Sequence, residues 1–210
     1  MIKFRIVIGI TLFTIFFSCK KNTDQKSSIE TLLATNKLEI EENKNQLFDK
    51  ERLVDSVSCD LNKDGFNDMI VLLENPEPKF EYDAKHFNLP IEIYITDNSK
   101  ILVKYATNDD LIFSNPLSCY SDGYLRTVCN GNFFTFESDI CSGDVIISTY
   151  ITIKFVENQM LLHKYGEEYF NKANHEEKIP AKIWSIDDFG IVAFDELNEG
   201  FFIKLRNTKP

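Results

Sequence analysis

The chain has 210 residues, with 33 acidic against 23 basic side chains, a formal charge of −10 at pH 7 and five cysteines. An acidic chain of this size has no electrostatic case for binding nucleic acid or an anionic membrane surface.

Lys3 and Arg5 precede an uncharged, mostly apolar run from Ile6 to Phe17, followed by Ser18, Cys19, Lys20 and Lys21. The run is too short for a bilayer span, which needs about 20 residues, and suits the h-region of a secretory signal. Phe16-Phe17-Ser18-Cys19 resembles a bacterial lipobox, with an aromatic residue where leucine is commonest. The resemblance implies removal of residues 1–18, diacylglyceryl and N-acyl (palmitate-type) modification of Cys19, and a lipid-anchored protein of the cell envelope at the outer membrane. Two or more acyl chains make a stable anchor. An ordinary secretory signal or an uncleaved anchor is the competing reading. Removal of residues 1–18 takes away Lys3 and Arg5 and no acid, so the mature chain carries −12. The residues left suit one domain.

Residues 19–45 are polar and form a tether. Ser27-x-x-Glu30 matches a capping box ahead of Leu32 and Leu33, predicting a short helix over 28–37. From residue 46 to 210 the pattern is that of a single, mainly antiparallel β domain: a sheet or sandwich of hairpins with one or two short helices.

The most informative stretch lies early in that domain. Leu53 to Ser58 alternates and Met69 to Leu73 is a short apolar run, so both are strands. Between them, Asp60, Asn62, Asp64 and Asp68 place oxygens at loop positions 1, 3, 5 and 9. Gly65 allows the sharp turn at position 6, and Phe66 at position 7 can offer only its carbonyl. An EF-hand needs a glutamate at position 12, where this chain has Val71. The strand–loop–strand with D-x-N-x-D-G-x-x-D resembles the calcium loops of FG-GAP and VCBS-type repeats. That resemblance implies Ca²⁺ held by Asp60, Asn62, Asp64 and Asp68. One such loop excludes a whole propeller, and a weak, extracellular-type affinity of roughly 10⁻⁴–10⁻³ M is expected. The alternative is a polar turn, Asn/Asp/Gly-rich for turn reasons alone.

Downstream, Ile91–Thr96 and Ile101–Thr107 are strands around the turn Asp97-Asn98-Ser99, with a loop from Lys79 to Pro90 before them. Asn130-Gly131 predicts a hairpin joining Leu125–Val128 to Phe133–Glu137. Val145 to Val156 is a long, central strand with Ile147, Thr149, Ile151, Ile153 and Phe155 on one face. Glu157-Asn158 turns the chain into Met160–Tyr165. Gly166 to Lys182 is a polar excursion, Ser185-x-x-Asp188 caps one helical turn ended by Gly190, and Phe201–Leu205 is a last edge strand.

With Cys19 lipidated, Cys59, Cys119, Cys129 and Cys141 remain, an even number that suggests two disulfides outside the cytoplasm. If Asn130 and Gly131 are the turn residues, paired positions sum to about 261. Cys119 then falls opposite position 142, next to Cys141, while Cys129 lies at the tip, a strand's length from Cys141, beyond the about 7 Å that a bridge spans. Cys119–Cys141 is favoured, and Cys59–Cys129 follows by elimination; the alternative is reduced, packed thiols. A catalytic Cys141 wants a base, and His86, His163 and His175 are scattered. Asp187, Asp188 and Asp195 invite an acid–base reading, but acids at a helix start are common for dipolar reasons.

The ordered set of lipobox, D-x-N-x-D-G loop, hairpins and Ser-Ile-Asp-Asp-Phe-Gly is similar to small lipoproteins of Bacteroidota, a family of unknown function. The expectation is a non-enzymatic binding or interaction module with a structural calcium loop and an unidentified protein or glycan partner. Alternatives are an immunity or inhibitor lipoprotein against a basic partner and a carboxylate-dependent hydrolase.

Overall fold

A computed structural model describes residues 48–75, 88–112 and 123–208. The signal segment, Cys19, the helix expected over 28–37, Cys119 and most of the 79–90 loop lie outside the described residues. The chain divides into units at Met1–Gln46 and Leu47–Pro210, and the second is described here.

It is mainly β, with nine strands in two antiparallel sheets among the described residues. The first has the order β1 (Leu53–Cys59), β2 (Asp68–Leu73), β3 (Ile91–Thr96), β4 (Leu102–Asn108). The second has the order β5 (Gly123–Asn130), β6 (Phe133–Ser142), β7 (Val145–Val156), β8 (Gln159–Asn171), β9 (Lys182–Ser185). Within each sheet every strand pairs antiparallel with its neighbour in sequence.

The sheets share one core. Ile70, Leu72, Ile91 and Ile93 of the first pack with Phe134, Phe136, Ile151, Ile153 and Leu162 of the second. Strand β2 is buried along its whole length because its other face, Met69, Val71 and Leu73, packs with Tyr94 in a second cluster. Burial on both faces explains why β2 is a continuous apolar run without alternation. Strand β7 spans the expected residues and is third of five, with Thr149, Ile151, Ile153 and Phe155 turned inward. Glu157 and Asn158 both take positive φ (49° and 56°) in the turn to β8, the geometry that suits the right-handed strand twist.

Three expectations are corrected. The hairpin turn is Gly131-Asn132, one residue later than expected: Asn130 pairs with Phe133 and Cys129 with Phe134. Gly131 takes φ 58° at the first turn position, and Asn132 is fixed to Phe155 by bonds in both directions (Phe155 N to Asn132 O, 2.8 Å; Asn132 Nδ2 to Phe155 O, 2.8 Å). The first part of the polar excursion, Gly166 to Asn171, is the second half of β8, which continues to Asn171 because β7 offers pairing along its full length, Asn171 opposite Val145; the excursion proper is 172–181. Finally, Phe201–Leu205 belongs to a helix, α2 (Glu199–Arg206). Asn198 caps it, Oδ1 accepting from Phe201 N at 3.0 Å, and Phe202 and Leu205 bury at helical spacing. The single turn before it, α1 (Ile186–Phe189), matches expectation: Ser185 N donates to Asp188 Oδ2 at 2.8 Å and Gly190 ends it with φ 74°.

Candidate functional site

The loop between β1 and β2 opens from a closed strand pair, Cys59 opposite Asp68. Its side chains fold onto its own backbone. Asp60 accepts from Asp64 N at Oδ1 (3.1 Å) and from Gly65 N at Oδ2 (3.0 Å). Asn62 Oδ1 accepts from the same Asp64 N at 3.0 Å, while its Nδ2 donates to Asp64 Oδ2 at 2.8 Å. Asp64 Oδ1 accepts from Phe66 N at 2.8 Å. Lys63 (φ 63°) and Gly65 (φ 89°) adopt the left-handed backbone that lets these oxygens gather. Lys100 lies 5.3 Å above the Phe66 ring.

Asp68 plays a separate part. It is fully buried, and its oxygens accept from Leu61 N (2.8 Å), Asn62 N (3.4 Å) and Thr96 N (2.8 Å). It therefore staples the start of the loop to the end of β3, and buried Leu61 plugs the core beside it. Burial raises the Asp68 carboxyl above the ordinary range; its three backbone donors oppose this, and the Asp64 charge adds to it.

Among the described residues no three His, Cys, Asp or Glu side chains already converge as a metal-ligand cluster. The donor chemistry still fits a hard cation. Asp60 and Asn62 gather around the Asp64 N–H, the Asp64 carboxylate lies against Asn62, each carboxylate oxygen keeps a second lone pair, and Asp64 and Asp68 repel each other. Asp60, Asn62, Asp64 and the Phe66 carbonyl would hold such an ion, with Asp68 bracing them from inside.

A disulfide joins Cys59 at the foot of this loop to Cys129 on β5, Cα atoms 6.3 Å apart, linking the edges of the two sheets. Cys141 is also disulfide-bonded, so it carries no free thiol for nucleophilic chemistry. Asp188 is engaged as a helix cap. His163 lies exposed on β8 beside Phe133; burial first, then Lys154 and Lys164, lower its pKa.

Two features were not found from the sequence. The first is a groove of 770 Å³ bordered by Lys104–Thr107 of β4, Asn158–Leu161 at the β7–β8 turn, and Ile191 with Ala193–Glu196. Tyr105 crosses to it, its hydroxyl donating to the Asn158 carbonyl. Asn108 Nδ2 fastens the end of β4 to the 3₁₀ turn Phe194–Glu196 and to the residue after it, donating to Phe194 O at 2.6 Å and to Leu197 O at 2.9 Å. The second is a buried cluster on β8. Glu167, 2% exposed, accepts from Tyr165, Tyr169 and Arg206 of α2, and Arg206 Nη2 donates to Tyr165 Oη at 2.8 Å. Burial alone would raise the Glu167 carboxyl; the hydrogen bonds from Tyr165, Tyr169 and Arg206 outweigh it and hold the carboxyl below its usual range. This cluster clamps α2 to the sheet.

No protein family, curated protein or solved structure matches this chain.

Proposed function

We propose that the protein is a lipid-anchored lipoprotein of the cell envelope, attached through Cys19 at the outer membrane, whose β domain is a non-enzymatic binding module braced by a calcium loop. The observation that carries this reading is the Cys59–Cys129 bridge at the foot of the oxygen-rich loop. A bridge of this kind belongs outside the cytoplasm, where the signal-like start and Cys19 would also send the chain, and where millimolar calcium suits a weak loop. The groove along β4 offers the binding surface. Calcium, when bound, would supply charge neutralisation for Asp60, Asp64 and Asp68 and would rigidify the turn; it has no catalytic part.

A second reading, an inhibitor or immunity lipoprotein that occupies a basic partner, draws on one observation: Asp195 and Glu196 are exposed at the groove of a chain that is already acidic.

Two measurements test the first reading. Mass spectrometry of the membrane fraction should find an acylated N-terminal Cys19, and Cys19→Ser should release the protein from membranes; an unmodified, membrane-bound mutant would sink the anchor. Thermal unfolding in excess EGTA and then in calcium at 100 times the dissociation constant should gain about 2.7 kcal/mol, roughly 5–10 °C for a domain of this size. Asp64→Ala should remove the gain. Equal melting with and without calcium would reduce the loop to a polar turn.

A further inference from the structure

Among the described residues, strand β4 is the outer strand of the first sheet and pairs with β3 alone. Four consecutive residues of it, Lys104 to Thr107, border the groove. Side chains of one strand face alternate it, so a run of consecutive residues means that the strand's edge, with its backbone N–H and C=O groups, faces the space. The opposite border carries the exposed acids Asp195 and Glu196, and the groove's basic side chain, Lys104, is already paired with Glu92 at 2.6 Å. The unpaired charge of the groove is therefore negative, and Ile191, 75% exposed, adds an apolar contact.

We infer that this groove receives an extended, basic segment of a partner protein, added to β4 as a fifth strand of the first sheet. The inference rests on the binding-module reading and names the partner's chemistry. Backbone pairing with β4 gives the affinity in such an arrangement, and side-chain contacts give the specificity. Apolar side chains would meet Ile191, and Lys or Arg side chains would meet Asp195 and Glu196. The pairing is short. Lys104 to Thr107 spans about 13 Å at 3.3 Å per residue, Asn108 closes one end, and a bulge at Tyr105, where the register passes from Lys104 opposite Tyr94 to Ala106 opposite Ile93, interrupts the strand.

The test uses the full chain in detergent with its disulfides intact, and three fluorescent octapeptides: alternating Lys and Val, the same peptide N-methylated at every amide so that neither of its edges has an N–H to donate, and alternating Glu and Val. The Lys/Val peptide should bind saturably and protect the amides of 103–107 from hydrogen exchange. The N-methylated twin should bind at least tenfold more weakly, because it cannot pair with an edge. Asp195→Lys with Glu196→Lys, both exposed positions, should weaken the Lys/Val peptide several-fold and admit the Glu/Val peptide. Equal binding of the N-methylated twin, protection elsewhere, or no saturable binding overturns the inference. Protection of 103–107 that rises with protein concentration and without peptide would assign the edge to a second copy, and also overturns it. A photoreactive residue in place of Tyr150, on the other sheet, separates the two readings in cells. Partner adducts there without peptide binding at β4 overturn the groove and leave the module standing.

Discussion

Glu167 shows how much of this protein turns on a single buried charge. It sits among Tyr165, Tyr169 and Arg206, and each of its neighbours donates a hydrogen bond to it. Removing one partner of a buried pair leaves the other charge uncompensated, at a cost of about 3–5 kcal/mol. Glu167→Gln should therefore lose about that much stability at pH 7 in urea unfolding, through release of α2. A carboxyl held low in the folded state stabilises the fold above the ordinary carboxylate range and loses that contribution as pH falls through its folded value. The wild type should thus weaken steeply below about pH 4, and the Glu167→Gln protein should show a shallower acid limb. A mutant as stable as the wild type at pH 7 would show that the clamp contributes nothing net. In the sequence, Glu167-Glu168 is only part of a polar stretch. Its inward position follows from the register of β8 against β7, and its partner Arg206 lies 39 residues on.

The C-terminal helix carries the same lesson at the level of the element. Phe-Phe-Ile-Lys-Leu has strand propensity, yet it folds as α2 because Asn198 caps it and because a helix puts Phe202 and Leu205 on one buried face. Asn198→Ala should cost about 1 kcal/mol, measured as a shift in denaturant midpoint at constant slope; no shift would show that tertiary packing alone holds the helix. From the sequence alone the β-like run prevails, with no cap expected ahead of it. The reverse holds for α1, whose Ser185, Asp188 and Gly190 were sufficient because each acts within the turn itself. At the Gly131-Asn132 hairpin, the sequence marked the place and the bonds between Asn132 and Phe155 moved the turn by one residue.

At the scale of the molecule, the two sheets are joined by a shared apolar core and by the Cys59–Cys129 bridge, 70 residues apart in sequence. Closing a loop of that length is worth about 4 kcal/mol in the chain-entropy account. Cys59→Ser with Cys129→Ser should lower stability by about that much. It should also loosen the 60–68 loop, because Cys59 pairs with Asp68 across its base. Unfolding of this double mutant with and without calcium checks both points, and an unchanged calcium response would show that Asp68 and Leu61 hold the loop without the bridge.

The sequence by itself determined the β architecture, nearly all strand positions, the acidic character and the oxygen order of the 60–68 loop. Each follows from local alternation, turn chemistry or charge, which act over a few residues. Elimination among four cysteines also pointed to Cys59–Cys129. Only the tertiary structure decided that Asp68 turns inward as a staple, that β8 runs on through Glu167, that Phe201–Leu205 is helical, and that β4 borders a groove with Ile191 and Glu196. These depend on which distant segments meet, and no local pattern encodes the neighbour that burial and hydrogen-bond satisfaction select.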